Sequence, residues 1–297
     1  MLNPEVQELT PLRCTKQYRF GTKVFDFSER TFIMGVLNVT PDSFSDGGRY
    51  MQGSAAVERA LQMAEEGADI IDIGGESTRP RGAVYGEGSR AVSAEEELQR
   101  VIPVIESIAK RTDVPLSIDT WKSRVAGEAL DAGAVIVNDI SGFHFDPLLP
   151  EVVRRKSASA VVMHTPAPPW EMPDHVEYTD VVEDVAASLR KSLTLGETAG
   201  IRQMIVDPGL GFGKSLKENY RLIARLDRIA TLRYPILVGI SRKSFIGKLL
   251  HLPVESRLEG SLAAMTAAIL RGANVVRVHD VLSSRRAAAV ADELVRS

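Results

Sequence analysis

Val275-Val-Arg-Val-His-Asp280, near the C-terminus, has the alternating pattern of a β-strand. Side chains alternate between the two faces of a strand, so Arg277 and His279 point one way while Val276 and Val278 point the other. Two cationic side chains at the end of a buried strand predict an anion site. An edge strand with solvated charges would show the same alternation. Whether this segment is a buried strand with an anion site or an exposed edge strand therefore depends on the strands around it.

Seven further apolar runs precede this one and alternate with helical patterns, which predicts an α/β fold with a parallel sheet. The strands are short and apolar on both faces, as expected for strands that helices cover. Eight strand–helix units favour a closed (β/α)8 TIM barrel over an open doubly wound sheet, and they make the first and eighth strands neighbours. The predicted strands are Phe32–Val39, Ile70–Gly75, Pro115–Asp119, Val135–Asp139, Ala160–His164, Met204–Asp207, Ile236–Ser241 and Val275–Asp280.

An N-terminal β-hairpin is predicted from Tyr18–Phe20 and Val24–Phe27, and it would cap the bottom of the barrel. We therefore predict an N-terminal extension, residues 1–17, followed by a single barrel domain, residues 18–297. The predicted helices are Ser54–Glu66, Ser93–Lys110, Trp121–Asp131, Pro147–Lys156, Thr179–Ala199, Leu216–Leu226, Glu255–Arg271 and Ser283–Arg296.

The composition is that of an ordinary globular enzyme, with 44% hydrophobic and 25% charged residues in 297. A formal net charge of -3 argues against nucleic acid or an anionic membrane surface as a partner. The single cysteine, Cys14, excludes an internal disulfide. Residues 1–13 contain no apolar run of a signal peptide and the sequence contains no 18-residue apolar stretch, so a cytoplasmic location is expected.

Nearly every predicted strand ends in a polar residue or is followed by one. A closed barrel gathers these ends in one mouth, which is where barrel enzymes carry their chemistry. One polar strand end can be explained by capping of the next helix, whereas a full ring is hard to explain that way. The residues are Asn38, Glu76, Asp119, Asn138, His164, Asp207, Ser241, Lys243, Arg277 and His279.

Three of these residues, Asp119, Asn138 and Asp207, indicate the kind of ligand. Two carboxylates and an amide suit a heterocycle rich in N–H groups, such as a pterin or a purine. No cluster of His, Asp and Glu at metal-ligand spacing accompanies them, which argues against a metal cage built from protein alone. Lys243 fits a Schiff-base lysine or, better, a charged donor to a ligand oxygen. His164 is interpreted as a packing group rather than a catalyst.

Pro208-Gly-Leu-Gly-Phe-Gly-Lys-Ser215 has the composition of a phosphate loop but not its spacing. Pro208 stands where the Walker A motif requires its first glycine. The dinucleotide motif would follow Gly209 and Gly211 with a third glycine where Lys214 stands. These differences argue against an ATPase or a Rossmann dehydrogenase. The glycines are expected to let the backbone approach a flat ligand, or to turn the chain.

Several motifs resemble those of the bacterial dihydropteroate synthase family. Gly35–Gly48 is similar to the first signature of that family, and Asp72–Pro80 is similar to the second. The resemblance covers the chain from Thr31 to its end, and the motifs together are highly specific. The others follow in the family's order: Ser117–Thr120, Asn138–Gly142, Val206–Lys214, Ser241–Gly247, Gly260–Ala264 and Arg277–Asp280.

The resemblance implies a transferase that joins 4-aminobenzoate to 6-hydroxymethyl-7,8-dihydropterin diphosphate and releases diphosphate. It also implies a barrel that is usually a homodimer. Asn38 would hold Mg²⁺ together with the diphosphate, which Arg277 and His279 would clasp. The residues that would hold the substrates, chiefly the pterin, are Thr78, Asp119, Asn138, Met163, Asp207 and Lys243. Those that would shape the aminobenzoate pocket are Arg79, Pro80, Phe212 and Ser244. The resemblance assigns catalysis to Asp119, Asp207, Lys243, Arg277 and His279.

Two loops depart from the family pattern. Arg81 intrudes after Pro80, and residues 85–90 lengthen the loop that follows the second strand. Ala167 stands where the family has glycine after the fifth strand. Both changes fall near the aminobenzoate end of the site, which predicts reduced sensitivity to sulfonamides, the mimics of aminobenzoate. Two alternative functions share this barrel: a methyltetrahydrofolate:corrinoid methyltransferase and a non-catalytic pterin-binding paralogue.

Overall fold

The computed structural model describes residues 14–40, 49–76, 92–172 and 176–297. Within these ranges, an antiparallel hairpin precedes eight parallel strands. The hairpin consists of β1 (Gln17–Phe20) and β2 (Lys23–Asp26), and the parallel strands are β3 (Phe32–Asn38), β4 (Ile70–Gly74), β5 (Leu116–Asp119), β6 (Ile136–Asp139), β7 (Ser159–Met163), β8 (Met204–Asp207), β9 (Leu237–Gly239) and β10 (Val275–Val278).

The parallel sheet closes on itself, which confirms the predicted TIM barrel. Strand β10 pairs with β3, with Arg277 opposite Met34, so the first and last strands of the barrel are neighbours. On the other side, a parallel bridge between Val206 and Ile236 joins β8 to β9. The C-terminal ends of β3 and β10, which carry Asn38 and Arg277, therefore lie side by side.

Helices cover the outer face of the barrel and bury an apolar layer against it. None of the helices in the described ranges is long and apolar enough to cross a membrane. The helices are α1 (Arg49–Glu65), α2 (Ala94–Ala109), α3 (Ser123–Asp131), α4 (Leu149–Arg155), α5 (Val181–Ala199), α6 (Leu216–Ala224), α7 (Leu226–Ala230), α8 (Ser244–Leu250), α9 (Leu258–Leu270) and α10 (Val281–Arg296).

Some helix limits differ from the prediction. The predicted helix Leu216–Leu226 ends early and a second helix follows, because Arg225 has φ -119° and ψ 29°, outside the helical region. Helix α8 was not predicted, since it has only seven residues and contains Gly247. The predicted helix Glu255–Arg271 is a short 3-10 turn, Val254–Ser256, followed by α9.

The hairpin caps the N-terminal end of the barrel, as predicted. Its aromatic residues pack against the inward-facing residues at the starts of the strands, and the Tyr18 hydroxyl donates a hydrogen bond of 2.9 Å to the carbonyl of Met204. This end of the barrel is therefore filled with apolar side chains, which leaves the opposite end for polar chemistry. The limits proposed for the extension and the domain stay predictions; residues 1–13 lie outside the described ranges.

Candidate active site

The C-terminal ends of the parallel strands bring most of the predicted site residues to one mouth. Asp119 and Asp207 are the last residues of β5 and β8, and Asn138 and Arg277 are the next-to-last residues of β6 and β10. Asp119, Asn138 and Asp207 are buried. Three predicted residues, Thr78, Arg79 and Pro80, lie outside the described ranges.

Arg277 is held by two carboxylates from neighbouring parts of the barrel. Its Nε donates to Asp72 Oδ2 at 2.6 Å, and its Nη2 donates to Asp119 Oδ2, also at 2.6 Å. Asn138 Nδ2 donates to the same Asp72 oxygen at 2.9 Å. The first two bonds fix the plane of the guanidinium group and leave its Nη1 hydrogens outside the two ion pairs, while the third orients the Asp72 carboxylate. The sequence predicts an anion site at Arg277 and names no partner for it within the protein, whereas in the structure Asp72 and Asp119 offset its charge.

Burial and charge act in opposite directions in this group. Burial raises the pKa of Asp119, although Arg277 lowers it in part. Burial alone would lower the pKa of Arg277, but Asp72 and Asp119 more than reverse that effect and raise it. Arg277 therefore stays charged, and Asp119 takes up a proton more readily than an exposed aspartate does.

Three buried polar atoms near this group have no hydrogen-bond partner within the described ranges: Asp72 Oδ1, Ser117 Oγ and Asp119 Oδ1. Asp72 and Ser117 lie opposite each other in the register of β4 and β5, with Asp119 two residues further along. Buried polar atoms normally have a partner, so unpaired acceptors here indicate that the site receives donors from a ligand or from water.

On the other side of the mouth, Asp207 and Lys243 face the loop after β8. Asp207 Oδ1 accepts a hydrogen bond of 2.7 Å from the Gly209 N–H. Lys243 Nζ donates to the Leu210 carbonyl and lies 4.4 Å from the centre of the Phe212 ring. Burial lowers the pKa of Lys243 to about 8, against an upward effect of Asp207, and burial raises the pKa of Asp207.

The glycines of this loop serve close packing within the protein. Gly209 has φ +67°, and a Cβ on it would lie 1.9 Å from the His164 carbonyl oxygen. Gly211 has φ +84°, and a Cβ on it would lie 2.8 Å from Lys243 Cδ. Both positions require glycine for their conformation and for the space they leave. The loop therefore turns the chain and makes room for Lys243.

Lys214 ties the same loop to the end of β7. Its Nζ lies 2.9 Å from His164 Nδ1 and donates to the carbonyls of Gly209 and Phe212 at 2.8 and 3.0 Å. Burial and the nearby Lys214 lower the pKa of His164 to about 2, so the ring stays neutral. Burial lowers the pKa of Lys214 to about 7. His164 is a buried structural partner of Lys214, in keeping with its interpretation as a packing group.

An apolar wall lies beside these polar groups. Met163 and Phe212, which the resemblance assigns to the pterin and aminobenzoate positions, are buried in one cluster with Ile140 and Met172. Trp121 packs against that cluster. Aromatic and thioether groups beside carboxylates and an ammonium suit a planar, polar heterocycle.

A second buried ion cluster adjoins the mouth, and sequence reasoning missed it. Lys122 Nζ lies 2.6 Å from Glu76 Oε2 and 2.5 Å from Glu97 Oε2. The other oxygen of Glu76 accepts a hydrogen bond of 2.9 Å from the Val92 N–H. One signal was present in the sequence: Glu97 falls at helical spacing with the apolar residue Val101 and others on the buried face of α2.

The remaining predicted residues follow the strands. Ser244 is the buried first residue of α8, and His279 comes directly after β10. Asn38, the last residue of β3, is half-buried, and its side chain receives no hydrogen bond within the described ranges. Those ranges contain no group of three or more His, Cys, Asp or Glu residues that could hold a metal ion. One amide oxygen fits Mg²⁺, which commonly takes its other ligands from water and substrate phosphates.

Comparison with known proteins agrees with this geometry. The sequence profile of the pterin binding enzyme family matches residues 34–279. The chain is 44% identical to a dihydropteroate synthase of Clostridium beijerinckii over 281 residues, which are 94% of this chain, and the match covers 99% of the relative. The chain belongs to the dihydropteroate synthase family.

Solved structures of dihydropteroate synthases share the same fold. The Xanthomonas albilineans enzyme with 4-aminobenzoic acid has a TM-score of 0.86 at 42% identity, covering 94% of this chain and 98% of that one. The same enzyme in complex with 7,8-dihydropteroate has a TM-score of 0.82 at 40% identity, with the same two coverages. Dihydropteroate synthases are transferases, so this chain is an enzyme of that class, and the corrinoid methyltransferase alternative is not favoured.

Proposed function

We propose that this enzyme condenses 4-aminobenzoate with 6-hydroxymethyl-7,8-dihydropterin diphosphate, forming 7,8-dihydropteroate and releasing diphosphate, a step of folate biosynthesis. The supporting observation is one mouth that combines buried acceptors on Asp119 and Asp207 with a half-buried donor on Lys243. A pterin offers N–H groups along one edge and a carbonyl oxygen beside them, so its donors and acceptor complement these side chains.

The pterin would be bound by groups that already have one partner within the protein. Asp207 uses one oxygen for the Gly209 N–H, and its other oxygen can accept from the pterin's amino edge. Lys243 has three hydrogens and donates one to Leu210, so a second can reach the pterin carbonyl. The buried Phe212 ring beside Lys243 would help to exclude water from the reacting carbon.

Departure of diphosphate leaves positive charge on the pterin methylene and negative charge on the leaving group. Arg277 and His279 would stabilise the leaving group, with Arg277 held in place by Asp72 and Asp119. Asn38 would hold Mg²⁺, which neutralises diphosphate charge when bound. The electron-rich ring and nearby carboxylates would stabilise the cation until the amine attacks, so no covalent nucleophile is required.

Growth of a strain that lacks dihydropteroate synthase tests the proposal. Expression of this chain should restore growth without added folate, and the purified enzyme should form 7,8-dihydropteroate from the two substrates. Lys243→Met should fail in both assays. The absence of product from wild-type enzyme would contradict the proposal: methyl transfer that requires cobalamin would point to the corrinoid alternative, and pterin binding without turnover would point to a non-catalytic paralogue.

The charge of Lys243 predicts a pH dependence. Its pKa is lowered to about 8, so the side chain is a charged donor below pH 8 and loses that charge as the pH rises through this value. We expect kcat/KM for the pterin substrate to fall above pH 8. Lys243→Arg, although less active, should keep its charge and shift this fall to higher pH. An unchanged alkaline limb in that variant would exclude Lys243, and Lys214, with a pKa near 7, would be examined next.

Reduced sensitivity to sulfonamides is part of the proposal. Support comes from Arg81 and residues 85–90, which lie outside the described ranges, and from the segment around Ala167. Thr165 Oγ1 donates to the Ala167 carbonyl at 3.0 Å, and a Cβ on Gly213 would lie 2.5 Å from Pro166, so this segment packs against the loop of Phe212.

We expect the inhibition constant of a sulfonamide to exceed the Michaelis constant of the aminobenzoate substrate by about tenfold, which corresponds to roughly 1.4 kcal/mol of discrimination. Deletion of residues 85–90 should lower that ratio if the lengthened loop causes it, and Ala167→Gly tests the other change. Two similar constants in the wild-type enzyme would contradict this part of the proposal.

We also propose that the enzyme is a homodimer in the cytoplasm. Leu249, Leu250, Leu252 and Val254 are exposed within six residues at the end of α8, which is more apolar surface than scattered exposed residues provide. A second copy of the chain would cover it. Light scattering that gives the mass of one chain would contradict the dimer, and cell fractionation would test the location.

A further inference from the structure

Ser241 follows β9 and makes two contacts with His279, the residue directly after the neighbouring strand β10. Its Oγ accepts a hydrogen bond of 3.2 Å from the backbone N–H of His279, and the same oxygen lies 3.1 Å from the ring nitrogen Nδ1 of His279. Both residues are half-buried. One hydroxyl therefore contacts the backbone and the ring of a residue assigned to the leaving group.

The backbone around His279 is fixed from three sides. Ser241 takes its N–H, and Arg59 Nη2 of α1 donates to its carbonyl oxygen at 3.2 Å. Asp280, the next residue, forms two hydrogen bonds with Arg242, of 2.9 and 2.6 Å. With the backbone held, the remaining freedom of His279 is rotation of its side chain, and the contact between Nδ1 and Ser241 selects one orientation of the ring.

The hydroxyl also selects the position of the ring proton. A serine hydroxyl has one hydrogen and two lone pairs. One lone pair accepts from the His279 N–H, and the described ranges offer the Ser241 hydrogen no acceptor other than Nδ1. When Ser241 donates to Nδ1, the neutral ring carries its proton on Nε2. That N–H is then the donor which the ring presents to an anion.

We propose that Ser241 is a positioning residue that holds neutral His279 as the Nε2–H tautomer, with this N–H as the donor to the departing diphosphate. The identity of the anion as diphosphate rests on the proposed function, whereas the tautomer of His279 is inferred from its contacts with Ser241 alone. A hydroxyl suits the task better than a carboxylate, because it can donate to the neutral ring and, after rotation, accept from a protonated one.

The tautomer can be measured without any activity. Long-range proton–nitrogen NMR spectra of the ¹⁵N-histidine-labelled enzyme distinguish the two tautomers, and His279→Gln assigns the signal among the five histidines of the chain. We expect the Nε2–H form in the wild-type enzyme and in Ser241→Thr, which keeps the hydroxyl. Ser241→Ala should lose this preference and show exchange between both forms.

Binding of inorganic diphosphate with Mg²⁺, followed by calorimetry, tests the consequence. Ser241→Ala should bind about tenfold more weakly, because the ring would no longer be held to present its Nε2–H donor to the charged diphosphate, and Ser241→Thr should recover most of the affinity. Ser261→Ala is the matched control, since Ser261 Oγ of α9 accepts a hydrogen bond of 2.9 Å from the N–H of Arg242, the residue after Ser241, without a contact to His279.

The outcomes separate this inference from the proposed function. An Nδ1–H tautomer in the wild-type enzyme, an unchanged tautomer in Ser241→Ala, or equal losses of affinity in Ser241→Ala and Ser261→Ala would overturn the role of Ser241. If Ser241→Ala fails to fold, the wild-type and Ser241→Thr spectra still decide the tautomer. A wild-type enzyme that shows the Nε2–H form but makes no dihydropteroate would overturn only the proposed function.

Discussion

Replacement of Lys122 with methionine is expected to lower the free energy of unfolding by about 3–5 kcal/mol, since removal of one partner leaves buried charges uncompensated. Lys122 is the shared cation of Glu76 and Glu97, at 2.6 and 2.5 Å, and the Glu97 side chain is fully buried. Methionine keeps much of the volume and the apolar stem but removes the charge. Urea denaturation of the two proteins measures the difference.

Lys156→Met is the matched control. Lys156 pairs with Asp131 at the surface, where an ion pair contributes about 0–1 kcal/mol. Equal losses in Lys122→Met and Lys156→Met would contradict the account of a buried cluster. Recovery of part of the lost stability in the double variant Glu97→Gln, Lys122→Met would support it.

The effect of Lys122→Met should depend on pH in a defined direction. Burial raises the pKa of Glu97 above its ordinary value of 4.5, although Lys122 opposes this effect. Glu97 therefore binds a proton more tightly in the folded than in the unfolded protein, and this contribution to stability is present at low pH and is lost as the pH rises through the folded pKa. Without Lys122 the pKa rises further, so the destabilisation should be smaller at pH 5 than at pH 8.

Arg277→Lys is expected to lower kcat/KM for dihydropteroate formation by about 10²–10³-fold. Lysine keeps the positive charge. The guanidinium of Arg277, however, binds Asp72 through Nε and Asp119 through Nη2 and would still have Nη1 for the diphosphate, and a single ammonium group cannot provide donors in these three directions. The main loss should fall on kcat, because the charge of the leaving group develops in the transition state. Steady-state kinetics with both substrates measure it.

A substitution of the same kind at the other end of the barrel provides the control. Arg285 Nη1 lies 3.2 Å from Asp69 Oδ2, just before the start of β4, so Arg285→Lys should leave the kinetics unchanged. A melting temperature for Arg277→Lys close to that of wild type would show that the fold is retained. Wild-type kcat/KM in Arg277→Lys would remove this residue from the proposed mechanism.

The strands and the polar mouth could be predicted because both depend on local patterns. Apolar runs alternate with helical ones, and the limits of β8, Met204–Asp207, were predicted to the residue. Helix α8 and the break at Arg225 were missed, since seven residues carry little periodic signal and one backbone angle carries none. Asp72 lies within a motif of the sequence, but its role could not be predicted, because a carboxylate inside an apolar strand has no pattern that names its partner.

The amino-acid sequence by itself determined the closed barrel, its capped end and the side chains at its mouth, because alternation along a strand and the order of strand–helix units are properties of neighbouring residues. Only the tertiary structure decided which charges pair. Arg277 and Asp72 lie 205 positions apart in the sequence. Lys122, which pairs with both Glu76 and Glu97, lies before α3, whereas Glu97 belongs to α2 and Glu76 follows β4. Such pairing depends on distance and burial across the barrel, which spacing along the chain does not record.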